Sequence, residues 1–364
     1  MEKLTPNTTI TLNNGVKMPI FGYSLENIGK KSYNIKTQTE LLLDAIRIGY
    51  RFFDTCEDHG GLYALARAIR KSSIARSEFF ISSKMRIDEM GDGRYYQAID
   101  ETLQELETDY LDLYSIHWPL QPNRMWPKLD SYIGAYVGRE ISKTDNGDAE
   151  GLITFYQKGL TRAIGVCNLE VHHMEKLLNN PKCTVLPAIN QSHFHPLHAA
   201  TELRNYCAEK GIAFGGLFED SELSIPTKPR IHTDTNRYGL LFQTDDDHIL
   251  ANQKVRIDPS RRSAEYQYDP YVRQKNPRRE DKEFYDDVDE LSKIAAHYGK
   301  TNTQVVTRWS LQHGVVTTVK GFLPEKMKQD YDVFDFEICE EDMKRLDMFN
   351  IGLRVGYHPD YIDF

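Results

Sequence analysis

RFFDTCEDHGG, residues 51–61, decides the fold. Two aromatic residues end on Asp54, a threonine and a cysteine follow, and a run of charged residues and glycines carries the chain away. Apolar residues that stop at a polar side chain mark the C-terminal end of a strand buried on both faces. The same pattern recurs in EFFISSKM, residues 78–85, which stops near Lys84, and in LDLYSIHWP, residues 111–119, which stops at His117. His59 lies five residues beyond Asp54. Parallel strands whose C-terminal ends carry a carboxylate, an ammonium and imidazoles are the arrangement a β/α barrel uses to collect its chemistry. Lysine and carboxylate together can set the protonation of an imidazole.

Working outward, strand candidates near residues 19–23, 50–55, 78–84, 111–117, 161–167, 186–191, 212–218 and 315–320 alternate with segments of helical spacing. The helical segments include TQTELLLDAIRIG, GLYALARAIRKS, YYQAIDETLQELE, EVHHMEKLLNN and TELRNYCAEKG. Alternation with short connections predicts a parallel sheet with right-handed crossovers, and eight strands close a (β/α)8 TIM barrel. An open doubly wound sheet is the alternative, but no GxGxxG follows the first strand. Asn14-Gly15 within ITLNNGVKMP predicts an N-terminal β-hairpin with a two-residue primed turn. It would cap the closed end of the barrel or decorate its edge.

Two stretches interrupt the rhythm, at about 119–148 and 219–284, both charged and both following a strand end. Loops of that length are expected to lie over the C-terminal face as lids. The whole chain, 1–364, then reads as a single barrel domain with two insertions.

Composition narrows the partners. A net charge of −9 with both signs interspersed gives no footprint for nucleic acid or an anionic membrane. No apolar run approaches the roughly 18 residues of a spanning helix. MEKLTPNTTI has no signal-peptide apolar core, so a cytoplasmic location is expected. The five cysteines are widely spaced without CxxC and read as reduced thiols, Cys56 among them as a packed one. His193 and His195 alternate near one strand end, but without a cysteine or second carboxylate at that spacing no metal is expected. His172 and His173 read as surface residues of a helix.

Taken in order, NNGVKMPIFGYS, FFDTCEDHG, SSKM, SIHWP, LTRAIGVCNLEVHHMEKLL, PAINQSHFHP, GKTNTQVVTRWSLQHGVV and VKGFLPEKMKQDYDVFDFEI resemble the aldo-keto reductases across nearly the whole chain. That resemblance implies a barrel that binds NADP(H) without a Rossmann domain and reduces carbonyls of small molecules. It implies a catalytic set at Asp54, His59, Lys84 and His117, with His59 where the family has a tyrosine. It also implies cofactor contacts at Ser24, Cys167, Asn168, Gln191, Leu217, Lys320, Lys326 and Asp330, and a substrate pocket that includes Glu26, Trp118 and Trp126.

Several of these positions depart from the family. Cys167 replaces a serine, Leu217 the aromatic that stacks on nicotinamide, Gly321 a serine, Lys326 an arginine and Asp330 an asparagine. Weakened cofactor binding is the expectation, with Lys326 still facing the 2′-phosphate as a point charge. Three readings stay open at this point. The chain is an oxidoreductase with His59 as proton donor or acceptor, a repurposed non-redox isomerase, cyclase or lyase using His59 and His117, or a non-catalytic binding or regulatory subunit.

Overall fold

The structure, a computed structural model, describes residues 3–26, 28, 34–56, 60–86, 89–90, 95–119, 131–138, 151–217, 281–352 and 359. Eight parallel strands close a barrel in the order β10-β3-β4-β5-β6-β7-β8-β9. They are β3 (Phe21–Ser24), β4 (Phe52–Asp54), β5 (Phe80–Met85), β6 (Leu113–Ile116), β7 (Ile164–Cys167), β8 (Ile189–His193), β9 (Ala213–Leu217) and β10 (Val316–Val319). Every one falls on an expected segment. The protein is an α/β barrel.

Side chains alternate across each strand, so every second residue enters the barrel. Phe52, Phe80, Leu113, Ile189 and Val316 form an apolar floor within it. Two residues further along β4, β5 and β8 the interior turns polar at Asp54, Ser82 and Gln191, all buried. Small residues make room for the large ones. A Cβ added at Gly215 would come 2.7 Å from the Gln191 side chain.

The N-terminal hairpin, β1 (Thr9–Thr11) and β2 (Lys17–Pro19), plugs the floor. Leu12 and Met18 are buried in the same cluster as Phe52 and Phe80. Asn13 and Asn14 donate to the carbonyls of Pro187 and Arg162, just before β8 and β7. Its turn differs from the expected one. Leu12 N donates to Val16 O and Gly15 N to Leu12 O, so three residues form the loop. Gly15 has φ 85° while Asn14 is not left-handed, which excludes a type I′ turn.

On the outside lie α1 (Ile35–Ile48), α2 (Leu62–Ser72), α3 (Tyr95–Glu105), α4 (Ser131–Val137), α5 (Leu152–Gln157), α6 (Val171–Leu178), α7 (Thr201–Glu209), α8 (Asp281–Tyr298), α9 (Asn302–Gln312), α10 (Pro324–Tyr331) and α11 (Glu340–Asp347). The stretch at 119–148 contains α4, whose Tyr132 and Tyr136 are buried and donate to the carbonyls of His173 and Val185. That part packs on the flank of the barrel rather than over its mouth. His173 is buried as well, because its Nδ1 accepts from Glu170 N at 3.2 Å in the cap of α6. It is not the surface residue the sequence suggests. Residues 218–280 lie outside the described residues. Among those described, no helix is long and apolar enough to cross a membrane.

Candidate active site

Asp54 ends β4, Lys84 lies near the end of β5 and His117 follows β6, so the pairing of adjacent strands brings them to one face of the barrel. Lys84 Nζ donates to both oxygens of Asp54, at 2.7 and 2.6 Å, and stands 3.3 Å from Thr55 O. Ser82 Oγ donates to Asp54 Oδ1 at 2.5 Å. Both partners of the ion pair are only 2% exposed. Burial pulls the pKa of Lys84 down, but the Asp54 carboxylate, with smaller help from Cys167 and Cys56, outweighs it and the net shift is upward. Lys84 is therefore a fixed ammonium at neutral pH. Its charge is matched by Asp54, so the pair as a whole presents little net charge to neighbouring imidazoles.

His117 is tied down from two sides. Asn168 Nδ2 donates to His117 O at 3.1 Å, and Cys56 Sγ lies 3.4 Å from His117 Nδ1. Asn168 reaches that carbonyl from φ 58°, a left-handed conformation that asparagine tolerates better than most residues. Cys56 is fully buried, with Sγ also 3.7 Å from Lys84 O. Ser82, Thr55 and Cys56 thus belong to the site. The sequence placed Cys56 among packed thiols, since its imidazole neighbour comes from a strand 61 residues away.

Cys167 and Gln191 sit on adjacent strands beside this group. Cys167 Sγ donates to Gln191 Oε1 at 3.5 Å, and Gln191 Nε2 stands 3.5 Å from Asp54 Oδ1. Burial pushes the Cys167 thiol up to about 12, against the pull of Lys84, so it stays protonated near neutral pH. The Gln191 contacts are long, so its amide, with both donor and acceptor atoms, can serve a further polar partner.

Across the barrel, Lys320 follows β10 and its Nζ lies 3.3 Å from Glu26 Oε2. Lys326, on α10, donates to Asp330 Oδ1 at 2.6 Å one turn along the same helix. Ser24 Oγ accepts from Glu26 N at 3.2 Å, which fixes the entry of Glu26. Trp118 is half-buried with its ring 6.0 Å from that of His117. Leu217 ends β9. His193 and His195 have ring centroids 4.8 Å apart at the end of β8, and among the described residues no group of three or more His, Cys, Asp or Glu is arranged to hold a metal. Glu57, Asp58, His59 and Trp126 lie outside the described residues.

Comparison with known proteins agrees with the fold. The profile described as Aldo/keto reductase family matches residues 20–219 and 248–351. A glyoxal reductase of Bacillus subtilis is 31% identical over 356 residues, covering 98% of both chains. A methylglyoxal reductase of Salmonella typhimurium is 26% identical and covers 97% of each. Among solved structures, the Bombyx mori aldo-keto reductase in complex with NADP shares the fold at a TM-score of 0.68 and 23% identity, covering 98% of this chain and 97% of that one.

Proposed function

The chain belongs to the Aldo/keto reductase family, and from that premise we propose that it is a single-domain, nicotinamide-dependent oxidoreductase that reduces a carbonyl of a small molecule. The observation that carries the reading is the buried Lys84–Asp54 pair beside His117 at the strand ends. Ser24, Cys167, Asn168, Gln191 and Leu217 would hold the nicotinamide end. Lys320, Lys326 and Asp330 would line the rest of the coenzyme, which the reading takes to include NADPH.

When bound, the reduced coenzyme supplies hydride to the carbonyl carbon. The protein supplies the proton. As the C=O electron pair shifts to oxygen, His59 donates a proton to that oxygen and an alcohol results. His117, oriented by Asn168 and Cys56, hydrogen-bonds the oxygen and aims the carbonyl. Lys84 and Asp54 hold the polar layer in place beside His117, and a protonated Cys167 leaves no competing thiolate. Glu26, Trp118 and Trp126 would shape the substrate pocket.

Small aldehydes are the first substrates to try, glyoxal and methylglyoxal above all, because the two relatives are a glyoxal reductase and a methylglyoxal reductase. The test is a fluorescence titration with reduced coenzyme followed by its aldehyde-dependent consumption. Saturable binding with turnover supports the reading. A protein that binds neither NADPH nor NADH overturns it.

A further inference from the structure

Cys56 has one S–H and stands within reach of two acceptors. Its Sγ lies 3.4 Å from Nδ1 of His117 and 3.7 Å from Lys84 O. The barrel holds both ends of the shorter contact. Thr55 N donates to Ser82 O at 3.0 Å, which carries the pairing of β4 with β5 one step past Asp54 and fixes the approach to Cys56. Asn168, whose own N donates to Gln191 O at 2.8 Å, fixes the backbone of His117 through the bond to its carbonyl. Cys56 is fully buried, whereas His117 is half-buried.

Which partner donates decides what His117 offers at its other nitrogen. A neutral imidazole has one N–H and one lone pair, and the bond made at Nδ1 selects the state of Nε2. The couple can hold its protons as a thiol donating to a bare Nδ1, as an Nδ1–H donating to sulfur, or as a thiolate beside an imidazolium. Sulfur is a weak acceptor, which disfavours the second form. The third would set two charges in a buried place at a desolvation cost. The Lys84 ammonium would favour such a thiolate, but Asp54, 2.6 Å away, already offsets its charge. That leaves the donating thiol. Nδ1 is also the nearer of its two acceptors and the more basic.

Resting on the reading of the barrel as a carbonyl reductase, we propose that Cys56 is a positioning residue: its thiol donates to Nδ1 of His117 and keeps the imidazole neutral, with its hydrogen on Nε2. A carbonyl oxygen presents only lone pairs, so an Nε2–H meets it and the bare nitrogen of the other tautomer repels it. Cys56 thus acts on the substrate through His117.

Nitrogen NMR spectra of protein labelled in histidine read the tautomer directly, with His117 identified by the signal lost in His117→Gln. The unaltered chain should show a neutral ring protonated at Nε2. Cys56→Ala should move part of the population to the other tautomer and lower kcat for an aldehyde by about tenfold, the worth of one hydrogen bond, while affinity for reduced coenzyme stays within about threefold. Cys56→Ser, which keeps a donor, should restore the Nε2 tautomer and most of kcat. A neutral ring protonated at Nδ1 in the unaltered chain, or an imidazolium beside a thiolate seen by its ultraviolet absorbance, would overturn the proposal. So would an alanine variant with unaltered tautomer and kcat. The spectra of the unaltered chain decide the matter if Cys56→Ala does not fold. Failure to turn over any aldehyde would overturn the functional reading alone, since the His117 spectrum still reports which atom the thiol serves.

Discussion

Two of the lysine–carboxylate pairs in the proposed site, Lys84–Asp54 and Lys326–Asp330, are built differently. Lys84 and Asp54 stand on adjacent strands, both buried, with both carboxylate oxygens engaged and Ser82 adding a third bond. Lys326 and Asp330 stand one turn apart on a single helix, and only the carboxylate is buried. The first pair is fixed by the register of β4 against β5, so neither partner can leave without disturbing the barrel. The second can open by rotation of one half-exposed lysine. Equivalent ionic chemistry therefore serves as fixed framework in one pair and as a looser, partly solvated contact in the other.

The largest expected effect tests the catalytic end directly. His59→Ala should lower turnover by about 100-fold to 10,000-fold, the usual worth of a positioned proton donor. Steady-state rates across pH check it. Wild-type turnover with an unchanged pH profile would move the proton to His117 or a water and leave the buried pair as framework alone.

Next comes the pair itself. Lys84→Met should cost about 3–5 kcal/mol in stability by stranding Asp54, and Lys84→Met with Asp54→Leu should recover part of that loss. Urea denaturation of the single and double variants measures both. Full additivity would mean that the two charges do not depend on each other. For the helical pair, Lys326→Met should cost less, because its half-exposed cation is screened by water.

Alkaline pH gives a smaller effect with a definite sign. Cys167 keeps its proton in the fold up to about 12, whereas the unfolded thiol loses it near 9. The folded state therefore binds more protons between those values, so this contribution to stability is complete below pH 9 and declines as pH rises toward 12. Lys84, shifted upward by its partner, acts in the same direction above its ordinary value of 10.5. Cys167→Ser should flatten the decline measured by thermal unfolding as pH rises from 9 toward about 12.

The smallest effect belongs to Glu26, whose pairing with Lys320 is partly exposed. Glu26→Gln should tighten coenzyme binding by no more than about fivefold, as expected for a screened ion pair. A larger gain would make Glu26 the main restraint on Lys320.

The barrel was legible because strand and helix spacings alternate eight times and three of the strands run from apolar residues to Asp54, Lys84 and His117. The hairpin was legible except for its turn. Asn-Gly suggested two loop residues, yet that register would set Leu12 opposite Lys17. The observed register sets Ile10 opposite Met18, and Ile10, Leu12, Val16 and Met18 all meet the barrel floor. Alternation of apolar residues held the answer and outweighs the dipeptide signal. Lys326 and Asp330 were likewise readable, as residues four apart on a helix. Glu26 with Lys320 and Cys56 with His117 were not, because only tertiary closure brings those partners together.

Closure of the ring at β3 and β10 also sets when the site comes into being. Tyr23 reaches across that seam to Gly321 O, and Glu26 reaches across it to Lys320, each spanning almost three hundred residues of chain. While the chain emerges from the ribosome, the strands that carry Asp54, Lys84 and His117 can associate long before the corner at Lys320 has a second side. A chain cut before Val316 would keep those side chains but leave β3 and β9 as open edges with unpaired backbone. Such a fragment would be prone to pair with its own copies, which makes the last strand as much a guard against aggregation as a wall of the barrel.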